Sequence, residues 1–381
     1  MRITHKFAVV GALALMAGCS SLNPFSKKDS KTEPAKLVEL KSGLPVRTVW
    51  KYAVGSAGVY NLTPALAGDS LFVAGAGGVL ARLDPASGRE LWRVKTGTDL
   101  TAGVGSDGVV VAVGGVKGQV LAFGADGKVL WKQQASSELL SAPVVGKDVV
   151  VARSADNRIV AFDAKTGAKK WTVQRATPAL TLRAAPGMVV SGDNVYVAQP
   201  GGKLLALTLA AGVPRWEVVV GEPRGATELE RVTDISGTPV VFDKDVCAVT
   251  YQGKVGCYDA ATGVARWAKD QSSDVGVAVD QRFVFTADEK GALSAFSREA
   301  GQSAWKYDKL SYRRLSTPAS FGRTVAVGDY QGYIHFLSRE DGALLGRVSS
   351  DGSPIMSVPV VAGANLIFQT QSGTVIALAV E

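Results

Sequence analysis

A glycine followed four residues later by a tryptophan recurs along this chain about once every forty residues, and that period sets the fold before any other argument. Asp84-Pro-Ala-Ser-Gly88 leads to Trp92, Asp163-Ala-Lys-Thr-Gly167 to Trp171, and Asp259-Ala-Ala-Thr-Gly263 to Trp267. Weaker copies run from Gly127 to Trp131, Gly212 to Trp216 and Gly301 to Trp305. A seventh runs from Gly342 to Gly346, where the ring is missing. Each unit reads as four short β-rich runs separated by turn signals, for example Ser141–Val145, Asp148–Ala152, Arg158–Asp163 and Lys170–Val173. That pattern is a four-stranded antiparallel blade. The Asp-x-x-Thr/Ser-Gly segment suits a tight hairpin, with glycine at the positive-φ bulge position and Asp or Thr bonded to the turn backbone. Tryptophan on the last strand of a blade can cover the neighbouring blade, adding on the order of 2–3 kcal/mol per copy.

The C-terminal stretch supplies three further runs, Ser357–Val361, Leu366–Gln369 and Val375–Ala379, and stops where a tryptophan strand is due. Val46–Val54, carrying Trp50, lies at the other end of the chain and fits that vacancy. The expectation is an all-β, eight-bladed propeller over residues 45–381, its ring closed by an N-terminal strand that completes the last blade. Closure removes two open edges, and a ring of repeats needs no single core that grows with length.

The first 18 residues read as a signal segment. Arg2, His5 and Lys6 precede the apolar stretch Phe7–Met16, which is too short to span a bilayer as a helix. Leu15-Met-Ala-Gly-Cys19 resembles a bacterial lipobox, which implies acylation of Cys19 and stable anchoring by several acyl chains. Ser20 after that cysteine implies sorting to the outer membrane. Residues 19–44, rich in Lys and Ser and broken by Pro24 and Pro34, read as a tether. The formal charge is +8, and losing Arg2 and Lys6 lowers it by two. Lys and Arg are dispersed apart from Lys27-Lys28, so no concentrated basic face points to nucleic acid.

Little in the sequence points to catalysis. After removal of the signal segment one histidine remains, His335, in a strand-like run with no nucleophile turn nearby. No cysteine–histidine spacing suggests zinc and no phosphate loop is present, so no cofactor is expected. Cys247 and Cys257 flank the turn Tyr251–Lys254. A register pairing them makes a cross-strand disulfide plausible in an oxidising compartment, with two buried thiols as the alternative. The links between blades are uneven. The one from Trp216 to Pro239 is the longest, and the one from Trp171 to Pro186 marginally exceeds the rest. Both join a last strand to the next first strand, so both emerge on one face, where per-repeat insertions commonly mark the binding surface.

The run Ala161-Phe-Asp-Ala-Lys-Thr-Gly-Ala-Lys-Lys-Trp171 resembles the repeats of the pyrroloquinoline-quinone dehydrogenases. Those eight-bladed enzymes carry a calcium–quinone site, often with adjacent cysteines. This chain has neither adjacent cysteines nor an evident calcium cluster. The lipobox, the repeats, the segment Ala226-Thr-Glu-Leu-Glu-Arg-Val-Thr-Asp-Ile-Ser-Gly-Thr-Pro239 and the segment Gly328–His335 together resemble the BamB family, lipoproteins of the outer-membrane β-barrel assembly (BAM) machinery. That resemblance implies a non-catalytic assembly factor on the periplasmic side of the outer membrane. Its partners would be the POTRA domains of BamA, and nascent outer-membrane proteins met through an outer strand. It also places a partner-binding Leu-x-Leu-Arg at Leu180, Leu182 and Arg183, and the first carboxylate of an Asp-x-Asp pair at Asp234. The second position is Ser236 here, which removes one acceptor for a partner cation.

Overall fold

The computed structural model describes residues 33–40, 43–182 and 186–380; the lipobox with Cys19 lies outside them. The chain divides after Pro34, and Ala35–Glu381 forms one body. Its strands fall into eight four-stranded antiparallel sheets, which are the blades of a β-propeller. Blades 1 to 7 each use four consecutive strands. They run β2 (Ala65–Ala67) to β5 (Glu90–Lys95), β6 (Leu100–Ser106) to β9 (Val129–Gln134), and β10 (Val144–Gly146) to β13 (Lys169–Gln174). Next come β14 (Met188–Ser191) to β17 (Pro214–Val219) and β18 (Ile235–Phe242) to β21 (Ala265–Asp270). The last two are β22 (Val277–Val279) to β25 (Ser303–Tyr307) and β26 (Ala319–Phe321) to β29 (Leu344–Ser349). Blade 8 joins β30 (Val360–Ala362), β31 (Asn365–Gln369) and β32 (Thr374–Val380) to β1 (Val46–Ala53). Val46 pairs with Val380 and Ala53 with Thr374, so the two ends of the chain close the ring as the strand count predicts.

Burial explains the composition of each strand. The second and third strands of a blade, such as Val149–Arg153 and Arg158–Asp163, are covered on both faces by neighbouring blades and read as near-continuous apolar runs. The fourth strand is mostly exposed and in blade 3 buries Trp171 alone. Apolar packing accordingly divides into eight clusters, each spanning two adjacent blades.

The glycine and the tryptophan of one copy serve different junctions. Trp171 donates its indole N–H to the Leu209 carbonyl, 2.9 Å away in the turn of blade 4. Gly212 of that same turn lies flat on the ring, where a Cβ would come within 2.6 Å of it. The arrangement repeats from Trp50 against the turn of blade 1 to Trp305 against the turn of blade 7. Glycine is therefore required twice over, by φ of +68° at Gly212 and by the ring beneath it. The turn aspartate acts as expected: Asp163 accepts from the Thr166 amide (2.9 Å), the Thr166 hydroxyl (2.9 Å) and the Lys165 amide (3.1 Å). The Thr166 amide, the largest cause, with the other donors holds its pKa down to about 2.

Ring closure accounts for the missing tryptophan. In blade 8 the third and fourth strands come from opposite ends of the chain, so no turn joins them and no glycine lies over position 346. Leu44 takes that place: its Cβ would stand 3.3 Å from a Cβ at Gly346, and its amide donates to the Leu345 carbonyl at 2.8 Å. Volume is redistributed across the strand pair. Alanine faces the tryptophan in blades 2, 3, 4, 6 and 8, whereas Phe336 faces Gly346.

Cys247 and Cys257 face each other in β19 (Asp245–Thr250) and β20 (Lys254–Asp259) and form a disulfide, fully buried beside Trp267. The loop closed is short, with a sequence separation of 10. Replacing both cysteines by alanine is expected to cost about 2–3 kcal/mol, with the fold retained, as read from the denaturant midpoint.

Candidate partner-binding face

In an up-and-down blade the link to the next blade and the hairpin between the second and third strands emerge on one side of the ring, here called the link face. The link between blades 3 and 4 and the link between blades 4 and 5 both lie there. Residues 176–180 of the first and 222–231 of the second are exposed without interruption. The second carries its own local order. Thr227 Oγ1 accepts from the Glu230 amide (3.3 Å), and the Glu230 carboxylate accepts from the amides of Thr227 (3.0 Å) and Ala226 (2.9 Å). This is a capping box, and Arg231 N–H to Thr227 O at 3.2 Å closes the single turn that it starts. The Thr227 and Ala226 amides hold the Glu230 carboxyl below its usual range. Leu229 stands within this turn at 72% exposure. The sequence reading passed over it, although Thr-x-x-Glu around a leucine was the available signal.

Asp234 and Ser236 are buried, not presented to solvent. Asp234 is 3% exposed and uses both oxygens on backbone amides, Oδ2 on Leu182 (2.6 Å) and Oδ1 on Gly201 (2.8 Å). It thereby ties the link between blades 3 and 4 to the hairpin of blade 4 at the threshold of blade 5. Arg153, also buried, holds the other end of that link, donating to the carbonyls of Pro186 (2.9 Å) and Ala198 (2.7 Å). Burial pushes the Arg153 pKa down to about 10, against the pull of Asp234, so it stays charged at neutral pH. Burial likewise raises the Asp234 carboxyl, with the Gly201 and Leu182 amides and Arg153 opposing it. Ser236 donates to the Ser273 carbonyl at 2.7 Å, stitching blade 5 to the link that follows it. Leu180 is 40% exposed and Leu182 half-buried; Arg183 lies outside the described residues. The geometry thus separates two roles that the sequence merged. Leu180 and Leu229 offer apolar surface, while Asp234 holds the link that carries Leu180 and Ser236 ties blade 5 to the link after it.

His335 occupies β28 (Tyr333–Ser338), fully buried, with Nε2 2.9 Å from Asp329 Oδ2. Burial pushes its pKa down, which favours the neutral ring donating to Asp329. Among the described residues its Nδ1 meets no hydrogen-bond partner. Among the described residues no group of three or more His, Cys, Asp or Glu side chains is placed to hold a metal ion.

The family described as outer membrane protein assembly factor BamB matches residues 75–307. A Burkholderia pseudomallei protein named outer membrane protein assembly factor BamB is 43% identical over 98% of this chain and 97% of its own length. The chain belongs to the BamB family. The crystal structure of BamB from Moraxella catarrhalis superposes with a TM-score of 0.80 at 24% identity, over 88% of this chain and all of the other, a likeness of fold. The quinohemoprotein alcohol dehydrogenase of Comamonas testosteroni also shares the propeller, with a TM-score of 0.69 at 15% identity over 88% of this chain and 76% of that one. Family membership thus rests on sequence along the whole BamB length. The dehydrogenase likeness extends only to the architecture.

Proposed function

We propose that this protein is a non-catalytic factor for outer-membrane protein assembly, anchored to the periplasmic face of the outer membrane through lipidated Cys19. It binds the POTRA domains of BamA with the link face of blades 3 to 5 and thereby assists folding and insertion of β-barrel proteins. Membership of a family named for outer-membrane protein assembly supports the process. The observation that carries the surface is that the two longest links are neighbours, flanking blade 4, and each offers an exposed leucine from a hydrogen-bonded seat. Leu180 and Leu229 supply apolar contact, and Arg183 supplies charge for orientation.

Capture of BamA from solubilised outer membranes tests this surface. A buried leucine contributes about 1.5–3 kcal/mol, so Leu180→Glu or Leu229→Glu is expected to weaken capture at least tenfold with the unfolding midpoint unchanged. Undiminished capture by the double variant would mean that the partner docks elsewhere. Arg183→Glu is expected to slow association chiefly, with a strong dependence on salt.

A further inference from the structure

The stretch that composition reads as tether is in part bound to the body. Leu44 donates to the Leu345 carbonyl at 2.8 Å, and Arg347 Nη2 donates to the Val38 carbonyl at 3.2 Å. Arg313 Nη1 donates to the Ala35 carbonyl at 3.0 Å, while the Ala35 amide donates to the Ser311 carbonyl at 2.8 Å. The clamp beneath is built, not incidental. Arg313 is 2% exposed and is held by Asp329 Oδ2 at 2.6 Å and Gln331 Oε1 at 2.7 Å. The Tyr333 ring faces both guanidinium groups, 5.6 Å from that of Arg313 and 5.8 Å from that of Arg347. This use also gives the buried Asp329–His335 pair a purpose, since Asp329 holds Arg313 through the oxygen that His335 also meets.

Topology fixes the direction of travel. β29 leaves its hairpin on the side opposite the link face and rises to Ser349, so Leu345 lies low on it and Arg347 higher. Ser311 and Arg313 belong to the link between blades 6 and 7, on the link face itself. We infer that residues 35–40 and 43–44 form a strap that carries the chain up the outer edge of blade 7. The strap places Ala35 at the link face. Ala35 then lies on the same side of the ring as the surface offered to the partner, which is the side from which a chain anchored at Cys19 would be held. This consequence rests on the proposed anchor at Cys19; the strap itself rests on contacts within the body.

Two measurements on the full chain test it. Trypsin is expected to cut after Lys36 at least tenfold more slowly in the unaltered protein than in Arg347→Ala or Ala35→Pro, the latter removing the amide donated to Ser311. Equal rates in all three would overturn the strap. In cells, the pair Lys36→Cys/Tyr312→Cys is expected to crosslink, while Lys36→Cys/Glu340→Cys, whose second partner lies in the hairpin on the opposite side, does not. The reverse preference, or none, would overturn delivery to the link face. Neither readout depends on lipidation or on BamA, so failure of the strap and failure of the proposed function are distinguishable.

Discussion

Asp234→Ala is expected to abolish BamA capture although Asp234 is buried. Its two oxygens are the acceptors for the Leu182 and Gly201 amides, and its charge offsets that of buried Arg153. Alanine leaves two buried amides without their acceptor, at about 1–3 kcal/mol each, and removes the negative charge that favours the buried Arg153 guanidinium. The seat of Leu180 is released at the same time. Hydrogen exchange at the Leu182 and Gly201 amides is expected to accelerate at least a hundredfold, more than at the amides of blade 7. The companion variant Arg153→Met/Asp234→Ala removes the stranded charge and is expected to recover part of the stability but not the capture, because the amides stay unpaired. Unchanged exchange at Leu182 in Asp234→Ala would sink the assignment of Asp234 as the support of the link.

Trp171→Ala is expected to cost about 3–5 kcal/mol, the range for deleting a packed tryptophan from a core. The ring fills the cluster between blades 3 and 4 and makes the hydrogen bond to Leu209. Gly212→Ala attacks the same contact from the other blade. It combines a left-handed backbone, unfavourable by about 1–2 kcal/mol for a residue with a Cβ, with displacement of the ring. Because both changes act on one contact, the double variant is expected to lose less than the sum of the single losses, by about 1–2 kcal/mol. Gly346→Trp is the informative contrast. Restoring the apparent consensus there is expected to lower the unfolding midpoint, since Leu44 already occupies the space and no turn glycine waits above it. A midpoint raised by Gly346→Trp would overturn the account of closure.

Much of this was legible in the residues because the repeat speaks for itself. Spacing of Gly and Trp fixed the blade, and the absent fourth strand after Ala379 pointed to Val46–Val54. Cys247 and Cys257 share a face because the three residues Tyr251–Gly253 between their strands set the register. The site was legible only in outline. Link length found both segments, yet it could not say which side chains face out. Asp234 looks like surface charge in a polar loop, and only the approach of Leu182 and Gly201, 52 and 33 residues distant in sequence, shows that it is support. The strap was invisible for the same reason, since Ala35 and Val38 are met by arginines at 313 and 347, nearly the whole chain away.

The sequence alone determined the number of blades, the place of closure and the links that depart from the repeat. These follow from local periodicity, which acts within a single blade. For Cys247 and Cys257 the sequence offered a disulfide or two buried thiols, and the structure decided between them. Tertiary structure alone decided that glycine and tryptophan of one copy serve two different junctions, why position 346 lacks its ring, which polar residues are support, and where the chain meets the link face. Each of these depends on which blade lies beside which. A propeller makes that adjacency only when the ring closes, so the pattern of one repeat cannot state it.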